Sequence, residues 1–153
     1  MGVVDGELYA VGGVDDSAVA VSSVESFDPS TGEWSVVAPM STARFSHDVA
    51  VVDGKLYAVG GRDGTNTILS SVERFDPSTG QWSVVAAMST ARYNHGVAVV
   101  DGKMFAVGGN DGTSTVLSSV ESFDPSTGQW GLVASMSTAR FFFTVVALEC
   151  PVG

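Results

Sequence analysis

The chain has 153 residues, 44% of them hydrophobic and 18 of them glycine, with 17 Asp plus Glu against 7 Lys plus Arg for a formal net charge of -10. That length suffices for one packed core, and a field of that sign repels phosphate backbones and anionic headgroups, so neither nucleic acid nor a membrane surface is an expected partner. Cys150 is the single cysteine, which excludes an intrachain disulfide. No basic stretch followed by an apolar core opens the chain, and the longest apolar-rich run, Phe141 to Leu148, is far shorter than the roughly 20 residues of a membrane span. A reduced, cytoplasmic setting is expected.

The chain repeats itself. Gly12-Gly13 recurs as Gly60-Gly61 and Gly108-Gly109, and Trp34, Trp82 and Trp130 stand 48 residues apart, as do Arg44, Arg92 and Arg140. In chain order, Gly2 to Val4 is the end of a first strand, because Met1 aligns with Val49. The middle copy shows the whole unit. His47 to Val52 and Lys55 to Gly60 are two extended runs separated by Asp53-Gly54, a strong signal for a tight hairpin. Ser71 to Phe75 is a third strand, closed by the turn formers Asp76-Pro77-Ser78-Thr79-Gly80, and Gln81 to Ala86 is a fourth. Met88 to Arg92 leads into the next copy. At the far end Phe141 to Leu148 aligns with a full first strand, and Glu149-Cys150-Pro151 replaces the hairpin turn; proline donates nothing to a ladder, so the repeat stops there.

No window shows helical periodicity. Runs such as Val49-Ala50-Val51-Val52 are apolar on both faces, as in a small sheet held between two others. The expectation is an all-β domain over 1–153 with four-stranded blades at about 1–43, 44–91 and 92–139 and a closing strand at about 140–148.

The double glycine, the following Trp, the period, and the stretches VAVVDGKLYAVGG, VERFDPSTGQW and MSTAR resemble the Kelch repeats of Kelch-like proteins. The resemblance covers essentially the whole chain and implies a Kelch-type β-propeller. Such propellers have about six blades, so three blades imply half a ring, and a homodimer closing one six-bladed ring is the preferred assembly. In the family a C-terminal strand completes the first blade; here it could complete that of a second copy.

No catalytic constellation is found. His47 and His95 are equivalent positions one repeat apart and lack a third ligand, so no metal and no cofactor are expected. The copper-oxidase activity of some Kelch-type enzymes does not carry over, because no His pair and Tyr accompany Cys150. Asp63-Gly64-Thr65-Asn66-Thr67 lacks the ligand run of a calcium loop and reads as a turn. The recurring Glu25, Glu73 and Glu121, with Arg44, Arg92 and Arg140, read as internal staples, each Glu bonding to backbone or to an Arg of a neighbouring blade; a charged binding ring is the alternative reading. The tryptophans read as packing residues beside the turns.

Differences between the copies gather in two loops. One follows the double glycine and holds Val14, Asp15 and Asp16, then Arg62 and Asp63, then Asn110 and Asp111; the other follows the recurring Arg and holds Phe45 and Ser46, Tyr93 and Asn94, Phe141 and Phe142. Binding usually lives on loops of a rigid scaffold, and in Kelch-like substrate receptors the matching positions line the face that holds a peptide. The resemblance implies a non-catalytic interaction scaffold for a protein or peptide, with Arg62, Ser46, Asn94, Tyr93 and Asn110 as leading contacts. The family's ring is Arg-rich for acidic peptides, whereas here Arg62 stands against several aspartates; ubiquitin-ligase recruitment would belong only to a longer parent. Two other readings stay open: an enzyme or small-molecule or metal binder using the central pocket, and a purely structural, designed or truncated repeat.

Overall fold

The computed structural model describes residues 2–148. Among these, no helix forms and twelve strands build three antiparallel sheets. The first contains β1 (Gly2–Val4), β2 (Glu7–Val14), β3 (Ala20–Asp28) and β4 (Glu33–Val37). The second contains β5 (Asp48–Val52), β6 (Lys55–Val59), β7 (Val72–Asp76) and β8 (Gln81–Val85), and the third β9 (Gly96–Val100), β10 (Lys103–Val107), β11 (Val120–Asp124) and β12 (Gln129–Val133). Each sheet is a meander in which sequence neighbours pair.

The turns explain the register. Asp5 and Gly6, Asp53 and Gly54, and Asp101 and Gly102 all have positive φ, at 51° and 85°, 50° and 69°, and 49° and 71°. Two positive values in a row are what a two-residue type I′ hairpin demands. At the next turn Asp76 accepts hydrogen bonds from the Ser78 N–H at 3.0 Å and hydroxyl at 2.6 Å, and it pairs with Lys55. Hydrogen bonds from Lys55 and Ser78 hold the Asp76 carboxyl down at about 2.

The core lies between the sheets. In β6, Leu56 and Ala58 join Val4, Tyr9, Val24 and Phe75 on one side, while Tyr57 and Val59 join Met104, Ala106 and Phe123 on the other. Alternate side chains of one strand thus bury on opposite faces, which is why these runs are apolar throughout. Each large side chain so buried contributes about 1.5–3 kcal/mol. Two of the three tryptophans also bond across the junctions: Trp82 Nε1 donates to the Ala38 carbonyl at 2.8 Å and Trp130 Nε1 to that of Ala86 at 2.9 Å.

Two of the three recurring Glu, Glu73 and Glu121, form staples with Arg44 and Arg92, whereas Glu25 and Arg140 lie exposed. Glu73 is 1% exposed and accepts from the Ser41 N–H at 2.7 Å, the Thr42 N–H at 3.1 Å and Arg44 Nη2 at 2.8 Å, so segment 41–44, which enters from blade 1, is pinned to blade 2. Glu121 does the same with Ser89, Thr90 and Arg92. Burial alone would raise the Glu73 carboxyl, but the bonds from Ser41 and Arg44 outweigh it and hold it below its ordinary value. Removing one partner would strand a buried charge at a cost of about 3–5 kcal/mol.

The C-terminal segment also differs from expectation. Residues 141–148 form no strand, although they align with β5 and β9. Those two strands are hydrogen-bonded to β6 and β10, and among the described residues no second strand pairs with 141–148 to satisfy its backbone. The segment instead packs on blade 3, with Val145 against Gly96. The expected stop at Glu149-Cys150-Pro151 lies outside the described residues.

Candidate functional site at the loop end of the blades

Antiparallel meanders send alternate connections to opposite ends. The Asp-Gly and Asp-Pro-Ser-Thr-Gly turns occupy one end, so the β2–β3, β6–β7 and β10–β11 loops share the other end with the links between blades. Both variable loop families therefore meet at one end.

They are also joined directly. The Phe45 N–H donates to the Arg62 carbonyl at 2.9 Å and the Arg62 N–H returns to Phe45 at 2.8 Å. Tyr93 and Asn110 exchange the same pair of bonds at 3.1 and 3.0 Å. These bridges extend the β5–β6 and β9–β10 ladders upward in register. Blades 2 and 3 are tied by the Arg62 guanidinium, whose carbon lies 3.7 Å from the centroid of the Tyr93 ring; such stacking contributes about 0.5–2 kcal/mol.

Ser46, Asn94 and Phe142 occupy the left-handed region at φ 53°, 50° and 52°. They form a staircase, the Asn94 N–H donating to the Ser46 carbonyl at 2.9 Å and the Phe142 N–H to the Asn94 carbonyl at 3.0 Å. All three line an open cleft of about 550 Å³ where the first strands converge, together with His47, Asp48, His95 and Val145.

The remaining positions divide by exposure. Val14 is 52% exposed at the end of β2; Phe141 and Phe142 are also exposed, with rings 5.2 Å apart. Asp15, Asp63 and Asp111 shape their own loops: Asp63 accepts from the Thr65 and Thr67 N–H groups at 2.8 and 2.9 Å, Asp15 from those of Ser17 and Val19, and Asp111 from that of Thr113. The Thr65 hydroxyl also donates to Asp63 at 2.8 Å, and it leads the bonds that hold this carboxyl below its ordinary value. Asn110 is buried, and its amide oxygen accepts from the Gly112 N–H at 2.8 Å, so it builds the loop from within.

In the loop after each recurring Arg, the positions singled out by sequence lie within two residues of it, and the cleft extends further. His47 and His95 stand beside it, and neither His95 nitrogen nor His47 Nδ1 has a partner among the described residues. Burial, reinforced by Arg44 and Arg92, pushes the two imidazoles down to about 4 and about 3, so both are neutral near pH 7. Asp48 accepts from the Val49 and Val97 N–H groups at 2.8 and 2.7 Å. A signal for this region existed, since copy-to-copy differences run on to Asp48, Gly96 and Thr144. Among the described residues no three His, Cys, Asp or Glu gather as a metal site, and no helix is long and apolar enough to cross a membrane.

Two comparisons bear on this architecture. The model of the KLHDC2/KLHL20/DRC7 Kelch-repeats domain matches residues 1–144. The solved structure titled "Structure of YjhT" superposes with a TM-score of 0.79 at 19% identity, covering 92% of this chain and 52% of that one. The chain thus spans about half the length of that neighbour, and the likeness is one of fold. With its three blades, its recurrent double glycine and a family match over nearly its whole length, the chain belongs to the Kelch-repeat family and has the Kelch-type β-propeller fold.

Proposed function

We propose that this chain is a non-catalytic protein-interaction module of a cytoplasmic setting, holding a peptide or protein segment at its loop end. The observation that carries this reading is the Arg62–Tyr93 stack beside the cleft of Ser46, Asn94 and Phe142, at the end where the copies differ. A pre-stacked Arg and Tyr lose little freedom on binding, and such residues dominate interface energetics. The β2–β3, β6–β7 and β10–β11 loops carry Asp15, Asp16, Asp63 and Asp111 against a single cation, Arg62, which disfavours a strongly acidic ligand. A segment with an apolar anchor for Phe141 and Phe142 and a neutral or basic flank suits this end. In the same reading, two copies complete a six-bladed ring and give the cleft its remaining wall.

The test is selection of a displayed random-peptide library on the immobilised protein. Enriched peptides should lose at least tenfold in affinity with Arg62→Ala and with Tyr93→Ala, about 1.4 kcal/mol or more. Ser78→Ala, at the opposite end, should change nothing. Peptides indifferent to the first two changes would overturn the reading. A second reading, a small-ligand or metal pocket, is favoured only by the unpartnered His47 and His95 nitrogens; stoichiometric transition metal in purified protein, lost in His95→Phe, would establish it.

A further inference from the structure

The two outermost blades carry the two halves of one more staple. Each internal junction joins an Arg from the link to a Glu of the next blade, 2.8 Å apart for Arg44–Glu73 and 2.9 Å for Arg92–Glu121, with all four side chains essentially buried. One repeat earlier than Glu73, Glu25 lies exposed on β3; one repeat later than Arg92, Arg140 lies exposed beyond β12. Among the described residues neither side chain has an ion pair or a hydrogen bond.

The arginine half is already assembled. The Arg140 N–H donates to the Leu117 carbonyl at 3.2 Å and its carbonyl accepts from the Gly109 N–H at 2.9 Å, as Arg92 does with Leu69 and Gly61 at 3.2 and 2.9 Å. Only the opposing carboxylate is missing. The indole repeats this complementarity independently: Trp34 is 51% exposed with no acceptor among the described residues, while Trp82 and Trp130 each donate to an alanine carbonyl of the preceding blade. The matching carbonyl for Trp34 is that of Ala134. The half-buried rings of Phe27 and Phe105 are likewise the members of a cross-blade pair that Tyr57 and Phe123 form at 5.8 Å.

We propose that the occupant of these two faces is a second copy of this chain, docked head to tail, with Arg140 of each copy inserted into a Glu25 socket of the other. The assignment rests on the two-copy ring of the proposed function and names its contacts. The junction needs no new geometry, because the chain builds the same one twice within itself. A heterologous contact of this kind closes when the rotation between units completes a ring and otherwise grows into filaments; three blades per copy complete six. Glu25 and Arg140 attract across the junction and repel under single charge reversal.

Sedimentation equilibrium of the full chain tests this. The parent should have twice the mass of one chain, and Arg140→Glu and Glu25→Arg should each have the mass of one. Both residues are exposed in the single chain, so both variants should keep the parent's strand signal by circular dichroism. An equimolar mixture of the two variants should regain the doubled mass, since a mixed pair keeps one native Arg140–Glu25 contact and reverses the other without repulsion. A doubled parent mass insensitive to both reversals, or a mixture that stays single, overturns the pairing while leaving a two-copy particle. A parent of single mass overturns the pairing and the ring together, and mass rising steadily with concentration overturns closure.

Discussion

His95 shows how the copies can be read against one another. Its Cε1 occupies the space beside Gly60 that the Phe143 ring edge occupies beside Gly108, so the partial repeat after blade 3 has already replaced the imidazole by a phenyl ring. Burial, with Arg92 and His47 nearby, holds the folded-state pKa at about 3, below the ordinary 6.5. The unfolded chain therefore binds a proton there across the window from about 6.5 down to about 3, and the folded chain does not. Stability present above pH 6.5 is lost progressively as pH falls, on the order of 2–3 kcal/mol from this residue by pH 4.5. Glu73 and Glu121, held below the ordinary value, add their own loss only at lower pH. The variant His95→Phe should keep more of its neutral-pH stability at pH 4.5 than the parent does, by urea unfolding at both pH values. An equal loss in both proteins would place the acid sensitivity elsewhere.

At the scale of the strand and turn, glycine positions separate two demands that sequence alone merges. Gly54 and Gly60 both have positive φ, at 69° and 61°. A Cβ on Gly54 meets nothing within 4 Å, whereas one on Gly60 would lie 2.6 Å from the Arg92 carbonyl oxygen at the junction with blade 3. Gly54→Ala should cost only the left-handed penalty, about 1–2 kcal/mol. Gly60→Ala adds a backbone clash that must push the blades apart, and should cost at least about 3 kcal/mol by the same unfolding assay. Equal costs would show that the junction yields. The strands themselves were legible because the Asp-Gly and Asp-Pro-Ser-Thr-Gly turns fix both ends of each hairpin locally. The segment 141–148 was not, because pairing is a property of the neighbour and not of the run itself. The candidate site was half legible: copy-to-copy differences located the loop end and both loops. They could not tell that Asn110 turns inward, that Arg62 lies over Tyr93, or that the cleft reaches His47 and Asp48, since variation marks a place and not a direction.

For the molecule as a whole, stability is a sum over blades and the junctions between them, as in other linear repeats. Blade 2 alone has a neighbour on each side within one chain, and Leu56, Tyr57, Ala58 and Val59 are all at most 3% exposed there. In blade 3 the alternation is one-sided, with Met104 and Ala106 buried against blade 2 and Phe105 and Val107 half-buried on the open face. A single chain should therefore fray from both ends, β6 and β7 exchanging amide hydrogens slowest and β2–β3 and β10–β11 faster. A ring of two copies gives every blade two neighbours and removes that gradient. Hydrogen exchange followed by mass spectrometry should show near-even protection of β2, β6 and β10 in the parent. In Arg140→Glu, β2 and β10 should exchange at least tenfold faster, about 1.4 kcal/mol or more of lost local stability, with a smaller change in β6. A parent that already shows the steep gradient is an open arc, and the two outer faces then have no cover from a second copy.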